Sequence, residues 1–278
     1  MLKLSAVTKT FGASTAVNSI DLEIGKGQIV GVIGRSGAGK STLLRIINRL
    51  IDPSAGAIEF DGKTVSDLKG RELRLWRARC AMIFQQFNLV NRLDVLTNVL
   101  VGRVATNGTL PILFKQFSAA ERTMAAKALD RLNLLPQALQ RADTLSGGQQ
   151  QRVAIARALV QMPDIVLADE PIASLDPHNA RLVMEALKTI NREDGITVIC
   201  NLHTLDAARS YCDRIIGLAK GSIVFDGGPE GLTSDVLHRI YGEDGAAPID
   251  ESLTAGQFGR PAVGTGAGIA SETNPAWA

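Results

Sequence analysis

Gly34-Arg35-Ser36-Gly37-Ala38-Gly39-Lys40-Ser41-Thr42 joins an apolar run to an amphipathic one, and its reading decides the fold. Before it, Gln28 to Ile33 is short, apolar and β-branched, the pattern of a strand buried on both faces. After it, Leu43, Leu44, Ile46, Ile47, Leu50 and Ile51 fall at helical spacing until Asp52-Pro53-Ser54 stops the pattern, which predicts a helix over 41–51. The first eight of the nine residues match G-x-x-x-x-G-K-[ST] in the strand–loop–helix context that this motif requires. Its glycines let consecutive backbone N–H groups turn inward around phosphate oxygens, and the helix N-terminus adds about half a positive charge. Lys40 brings a full charge to β and γ phosphates, and the Ser41 hydroxyl suits Mg²⁺, a hard cation that takes oxygen ligands. A plain glycine turn before an ordinary helix is the alternative, disfavoured because every fixed position and both flanking elements agree.

Working outward, Leu2 to Lys9 and Ile20 to Ile24 alternate apolar and polar residues, and Gly25-Lys26-Gly27 reads as a turn between strands, so an antiparallel layer opens the chain. From about Asn88 to Val160 the pattern is mainly helical, an insertion in which Ser118-Ala119-Ala120-Glu121 forms a capping-box candidate for a stretch running to Leu135. Ile165–Ala168 and Ile196–Cys200 are strand-like and flank a helical segment from Asn179 to Ile190, the spacing of a βαβ unit with parallel strands. Asp169 and Glu170 follow the first of these strands, where open α/β sheets bind their ligands. Beside a phosphate loop, Asp169 suits the metal and Glu170 the attacking water; without that loop the pair would be a solvated turn.

The whole chain has 278 residues, 30 Lys+Arg against 28 Asp+Glu, 45% hydrophobic and 4% aromatic residues. A core can therefore form without disulfides or structural metal. The formal charge of +2 excludes a charge-driven nucleic-acid binder. That balance is local, because residues 243–278 hold five acids and one base, a net −4, and leave +6 on residues 1–242. Those last residues are also rich in Gly and Ala and carry no periodic pattern, the composition of a flexible tail. Cys80, Cys200 and Cys212 lack CxxC spacing, so neither a disulfide framework nor a zinc site is favoured and a reducing compartment fits. No apolar stretch is long enough for a signal peptide or a membrane span.

A second small-residue loop, Leu145-Ser146-Gly147-Gly148-Gln149, precedes the helical run from Gln150 to Val160 and by itself would be a helix cap. Taken together, the phosphate loop, this LSGGQ, the Asp-Glu pair and the later His203 resemble an ATP-binding-cassette ATPase over about residues 1–240. The resemblance implies an α/β P-loop NTPase fold: a mixed central sheet, an antiparallel β layer and a helical insertion subdomain (about 88–160) in a domain of residues 1–242. It implies two ATP sites in a homodimer, with Ser146, Gly147, Gly148 and Gln149 of one copy completing the phosphate loop of the other. It further implies that Glu170, His203 and Lys40 carry the catalysis, and that Ser41, Asp169 and Gln85 hold Mg²⁺. Phe11 resembles the aromatic residue that stacks on adenine, the alternative being a packed core phenylalanine. Gln85 resembles the loop glutamine that also senses a membrane partner. Asp176, in Ser174-Leu175-Asp176, resembles the loop between the two ATP sites, and an Asp-Pro helix cap is equally adequate. His178 and His238 lack such context and read as surface residues.

The finer resemblance is to the ATP-binding subunit of bacterial phosphonate importers. It rests on Phe84 to Leu93 (FQQFNLVNRL), on Asp169 to Pro177 (DEPIASLDP) and on Asp194 to Val198 followed by Leu202-His203. It implies transmembrane permease subunits, a periplasmic phosphonate-binding protein and a place on the cytoplasmic face of the inner membrane. Phosphite, another importer's solute such as an amino acid, and a soluble cassette role remain as alternatives.

Overall fold

The computed structural model describes residues 1–107 and 116–242. The predicted tail, 243–278, lies outside the described residues. The chain runs β1 (Leu2–Phe11), β2 (Ser14–Ile24), β3 (Ile29–Ile33), α1 (Lys40–Ile47), β4 (Ala55–Phe60), β5 (Lys63–Thr64), α2 (Gly70–Arg79) and β6 (Cys80–Ile83). There follow α3 (Val95–Leu100), α4 (Val104–Asn107), α5 (Ala119–Arg131), α6 (Gly147–Leu159), β7 (Ile165–Asp169) and α7 (Pro177–Asp194). Last come β8 (Thr197–Asn201), α8 (Leu205–Tyr211), β9 (Arg214–Ala219), β10 (Ser222–Gly227) and α9 (Ser234–Tyr241).

The opening strands form an antiparallel sheet in the order β2-β1-β4-β5. Leu4 pairs with Leu22 and Val7 with Ile20, and the irregularity between them, where Ala6 adopts φ 48°, puts an odd step into the alternation so that both Leu4 and Val7 face inward. The second sheet has the order β10-β9-β3-β8-β7-β6, parallel from β9 to β6, with β10 antiparallel to β9. Every residue of β3, β7 and β8 is buried, in keeping with their mainly apolar sequences; Asp169, Thr197 and Asn201 are the polar residues among them.

One apolar core lies between the two sheets and is filled by α1 through Leu43, Leu44, Ile46 and Ile47. The other covers the far face of the parallel sheet with α3, α5, α6, α7 and α8. The parallel β7–α7–β8 unit is as expected, although α7 is longer than the apolar spacing suggests because Asp176 caps it and Pro177 occupies its first turn. The predicted capping box is present, with Ser118 accepting from Glu121 N–H and Glu121 accepting from Ser118 N–H.

Two helices end earlier than predicted. α1 stops at Ile47, not Ile51: Arg49 turns left-handed at φ 60°, and its buried guanidinium binds the Val65 carbonyl and Asp52, so Leu50 is exposed. α5 stops at Arg131, not Leu135, because Asn133 also turns left-handed, at φ 55°. The three cysteines are buried and unpaired. Among the described residues no helix is long and apolar enough to cross a membrane.

Candidate functional site

The phosphate loop leaves β3 and closes onto α1. Two of its glycines are sterically required: a Cβ on Gly34 would lie 2.3 Å from the Leu218 carbonyl oxygen, and one on Gly39 would lie 2.3 Å from that of Ala16. Gly39 also has φ 103°, a conformation open to glycine. Arg35, Ser36 and Gly37 are exposed at the loop crest, while Ala38 is buried and Thr42 half-buried. Lys40 is 4% exposed, and its Nζ donates to the Gly34 carbonyl at 2.7 Å and the Arg35 carbonyl at 3.1 Å. The loop thus wraps around the ammonium and leaves one of its three N–H groups to give. Burial holds the Lys40 pKa below the ordinary lysine range, and the charges of Glu170 and Asp169 offset part of that shift.

Asp169 ends β7 beside the start of α1. Its Oδ1 accepts from Ser41 Oγ at 2.7 Å and from Asn201 Nδ2 at 2.7 Å, and its Oδ2 lies 3.5 Å from Arg45 Nη2. Because the Ser41 hydroxyl proton goes to Asp169, the lone pairs of Oγ are left for another partner. Ser41 and Asp169 are hard oxygen donors in contact, which fits Mg²⁺ taking its other ligands from phosphate and water. Among the described residues no cluster of three or more His, Cys, Asp or Glu is placed to hold a metal ion.

Glu170, the next residue, turns left-handed at φ 54°, which carries its side chain away from that of Asp169. Its Oε1 lies 2.5 Å from His203 Nε2, so the two side chains the sequence singles out are in contact. They line a cavity of about 340 Å³ together with Asn201 and Thr204 on one side and Ile172 and Leu175 on another. Half-buried Glu170 and exposed His203 thus meet at the carboxyl end of the parallel sheet. His178 and His238 are exposed elsewhere, as expected.

Ser146 is the N-cap of α6: its Oγ accepts from Gln149 N–H, and Gln149 Oε1 accepts from Ser146 N–H at 2.9 Å. The cap reading of LSGGQ therefore holds, and Ser146 and Gly147 remain exposed beyond it. Gly148 is buried against Asn179 of α7. Asn179 in turn donates to Asp176 through its backbone N–H at 3.0 Å and through Nδ2 at 2.6 Å, and accepts from Arg152 Nη1 at 3.4 Å. These bonds to Asn179 hold the Asp176 carboxyl below its usual range. Asp176 is thus a helix cap, and Asn179 ties that cap to the LSGGQ helix.

Phe11 ends β1 with 50% of its surface exposed and Lys9 Nζ 5.1 Å from its ring centre, which rules out the packed-core alternative. Gln85 sits exposed on the loop after β6, and its side chain makes no hydrogen bond among the described residues. Arg35 Nη1 donates to the Tyr241 carbonyl at 3.1 Å, tying the loop crest to α9. Two site residues escape sequence reasoning. Arg45 is one charge among many, but Asn201 leaves a signal, a polar residue ending a mainly apolar strand two positions before His203.

A model of the family described as "ABC transporter" matches residues 17–173. The phosphonates import ATP-binding protein PhnC of Rhizobium meliloti (strain 1021) is 61% identical over 262 residues, covering 94% of this chain and 93% of its own length. That of Bradyrhizobium diazoefficiens is 57% identical over 267 residues, 96% of this chain and 99% of its own. Among solved structures, the ATP-binding cassette MJ0796, dimeric and bound to ADP and Pi in a post-hydrolysis state, superposes with a TM-score of 0.73 at 37% identity. The match covers 84% of this chain and 100% of that one. By motif, fold and similarity along nearly its whole length, this chain belongs to the ABC transporter family.

Proposed function

We propose that this chain is the ATP-hydrolysing subunit of a bacterial phosphonate importer, acting as a homodimer at the cytoplasmic face of the inner membrane. Transmembrane permease subunits hold it there, a periplasmic phosphonate-binding protein delivers the solute, and nucleic acid has no part. The observation that carries this reading is the 61% identity, over 94% of the chain, to a relative named as a phosphonates import ATP-binding protein.

In this reading the loop N–H groups from Gly34 to Thr42 and the remaining N–H of Lys40 hold the β and γ phosphates. Phe11 stacks on adenine. Ser41 and Asp169, with Gln85 from its loop, hold Mg²⁺, which supplies charge neutralisation on the phosphates when bound. Glu170 orients and deprotonates the attacking water. His203 has a single Nε2–H to give. Redirecting that hydrogen bond from the Glu170 carboxylate to a terminal phosphate, with the proton staying on His203, frees the carboxylate for water at the moment the phosphate needs a donor. Ser146, Gly147, Gly148 and Gln149 of the second copy, presented through exposed Ser146 and Gly147, bring another helix N-terminus to the spread phosphoryl charge. Asp176 links the two sites. ATP binding closes the copies, hydrolysis reopens them, and the permease converts that cycle into transport, so the solute need not touch this chain.

Glu170→Gln tests the chemical core. It should bind ATP, accumulate closed dimers on size exclusion and lose at least ~100-fold in turnover, the scale of general-base catalysis. Unchanged turnover removes Glu170 from the role.

A further inference from the structure

We propose that Asn201 is a positioning residue that orients the metal-holding carboxylate of Asp169; the proposal rests on the ATPase reading above. Asn201 ends β8 and stands in direct register with Asp169 across the parallel β7–β8 pair. It is fully buried, at 0% exposure, in a strand whose other residues are Thr197, Val198, Ile199 and Cys200. Its Nδ2 donates at 2.7 Å to the same Asp169 oxygen that accepts from Ser41.

Two donors on one carboxylate oxygen fix the plane of the group. They also keep the Ser41 proton directed at Asp169 and its lone pairs directed away. A leucine would fill this place in the core at lower cost, because Asn201 Oδ1 is buried without a hydrogen-bond partner among the described residues. An unmade bond of that kind is expensive, so the amide is not there for its own satisfaction. An aspartate would set a second carboxylate against the first. Asparagine offers a donor here without charge. Asn201 also lines the Glu170–His203 cavity, so it touches both halves of the site: the oxygens for the cation and the pair for the water. Outer partners of this kind preserve ligand orientation, and their loss weakens metal affinity by about 10- to 100-fold.

The test uses Mn²⁺ as the metal probe, read by electron paramagnetic resonance on full-length protein with a non-hydrolysable ATP analogue. Analogue affinity in EDTA and the melting temperature are measured alongside. Asn201→Leu should keep the melting temperature and the metal-free analogue affinity to within about twofold, while Mn²⁺ affinity drops roughly 10- to 100-fold. Asn201→Thr keeps a hydroxyl donor on a strand-compatible side chain and should recover Mn²⁺ affinity to within about threefold of wild type. Wild-type Mn²⁺ affinity in Asn201→Leu overturns the proposal. So does equal loss of metal-free nucleotide binding and of melting temperature in both variants, the mark of a purely structural role. A wild-type protein that binds neither analogue nor Mn²⁺ refutes the ATPase reading itself, an outcome distinct from failure of the Asn201 variants alone.

Discussion

Replacing Gly148 with alanine tests whether the LSGGQ helix and the Asp176 loop are one mechanical unit. A Cβ at this position would lie 2.3 Å from Asn179 Cγ and Oδ1, and 2.7 Å from Asn179 Cβ. Ordinary contact begins at 3.4 Å, so the neighbours must separate by about 1 Å. Rotating the amide does not suffice, since Asn179 Cβ is itself too close, and the first turn of α7 has to shift. Over-packing of this kind costs ~1–3 kcal/mol. For a chain of this size, that corresponds to a melting temperature lower by about 2–12 °C. The sign is diagnostic, because alanine at an unobstructed helical site stabilises by up to ~1 kcal/mol relative to glycine.

The same shift draws Asn179 from Asp176 and Arg152, so dimer ATPase should fall along with stability. Asn179→Gly removes the obstruction. In a double-mutant cycle followed by thermal denaturation and steady-state ATPase, the pair should couple by at least ~0.5 kcal/mol. A Gly148→Ala protein as stable as wild type, or losses that simply add, would refute the linkage.

Lys40→Ala should weaken ATP binding roughly 10- to 100-fold, the scale of one lost hydrogen bond to a charged group, as measured by equilibrium fluorescence titration. Because burial lowers the Lys40 pKa, wild-type ATP affinity should decline as pH rises through that lowered value, before an ordinary lysine near 10.4 loses its proton. The charged form needed for phosphate is present below that pH and lost above it. An affinity flat across the alkaline range would contradict this. Phe11→Ala should leave folding stability within ~0.5 kcal/mol, since the ring is half exposed. It should cost ~1–3 kcal/mol of ATP binding by loss of base stacking, and Phe11→Tyr should restore it.

The parts of the site that can be read in the sequence are local. Gly34 to Thr42 is one loop whose spacing carries its own chemistry, and Asp169-Glu170 announces itself by following a buried strand. His203 and the LSGGQ cap gain meaning only in company with that loop. What could not be read depends on register and on distant partners. Asn201 reaches Asp169 because β8 pairs with β7 in parallel, a fact absent from either strand alone. The end of α1 is set by Arg49 reaching Val65 and Asp52, which overrides the helical spacing of Leu50 and Ile51. α2 carries four arginines in ten residues and buries only Trp76 and Ala78, so its apolar periodicity is too faint to see.

Transport itself is the most direct test. The chain is to be reconstituted in proteoliposomes with its permease and periplasmic binding protein, and ATP hydrolysis followed as solutes are added one at a time. An organic phosphonate should stimulate hydrolysis several-fold over the solute-free rate, and the stimulation should vanish with Glu170→Gln. Stimulation by an amino acid, or by phosphite and not by any phosphonate, would contradict the account.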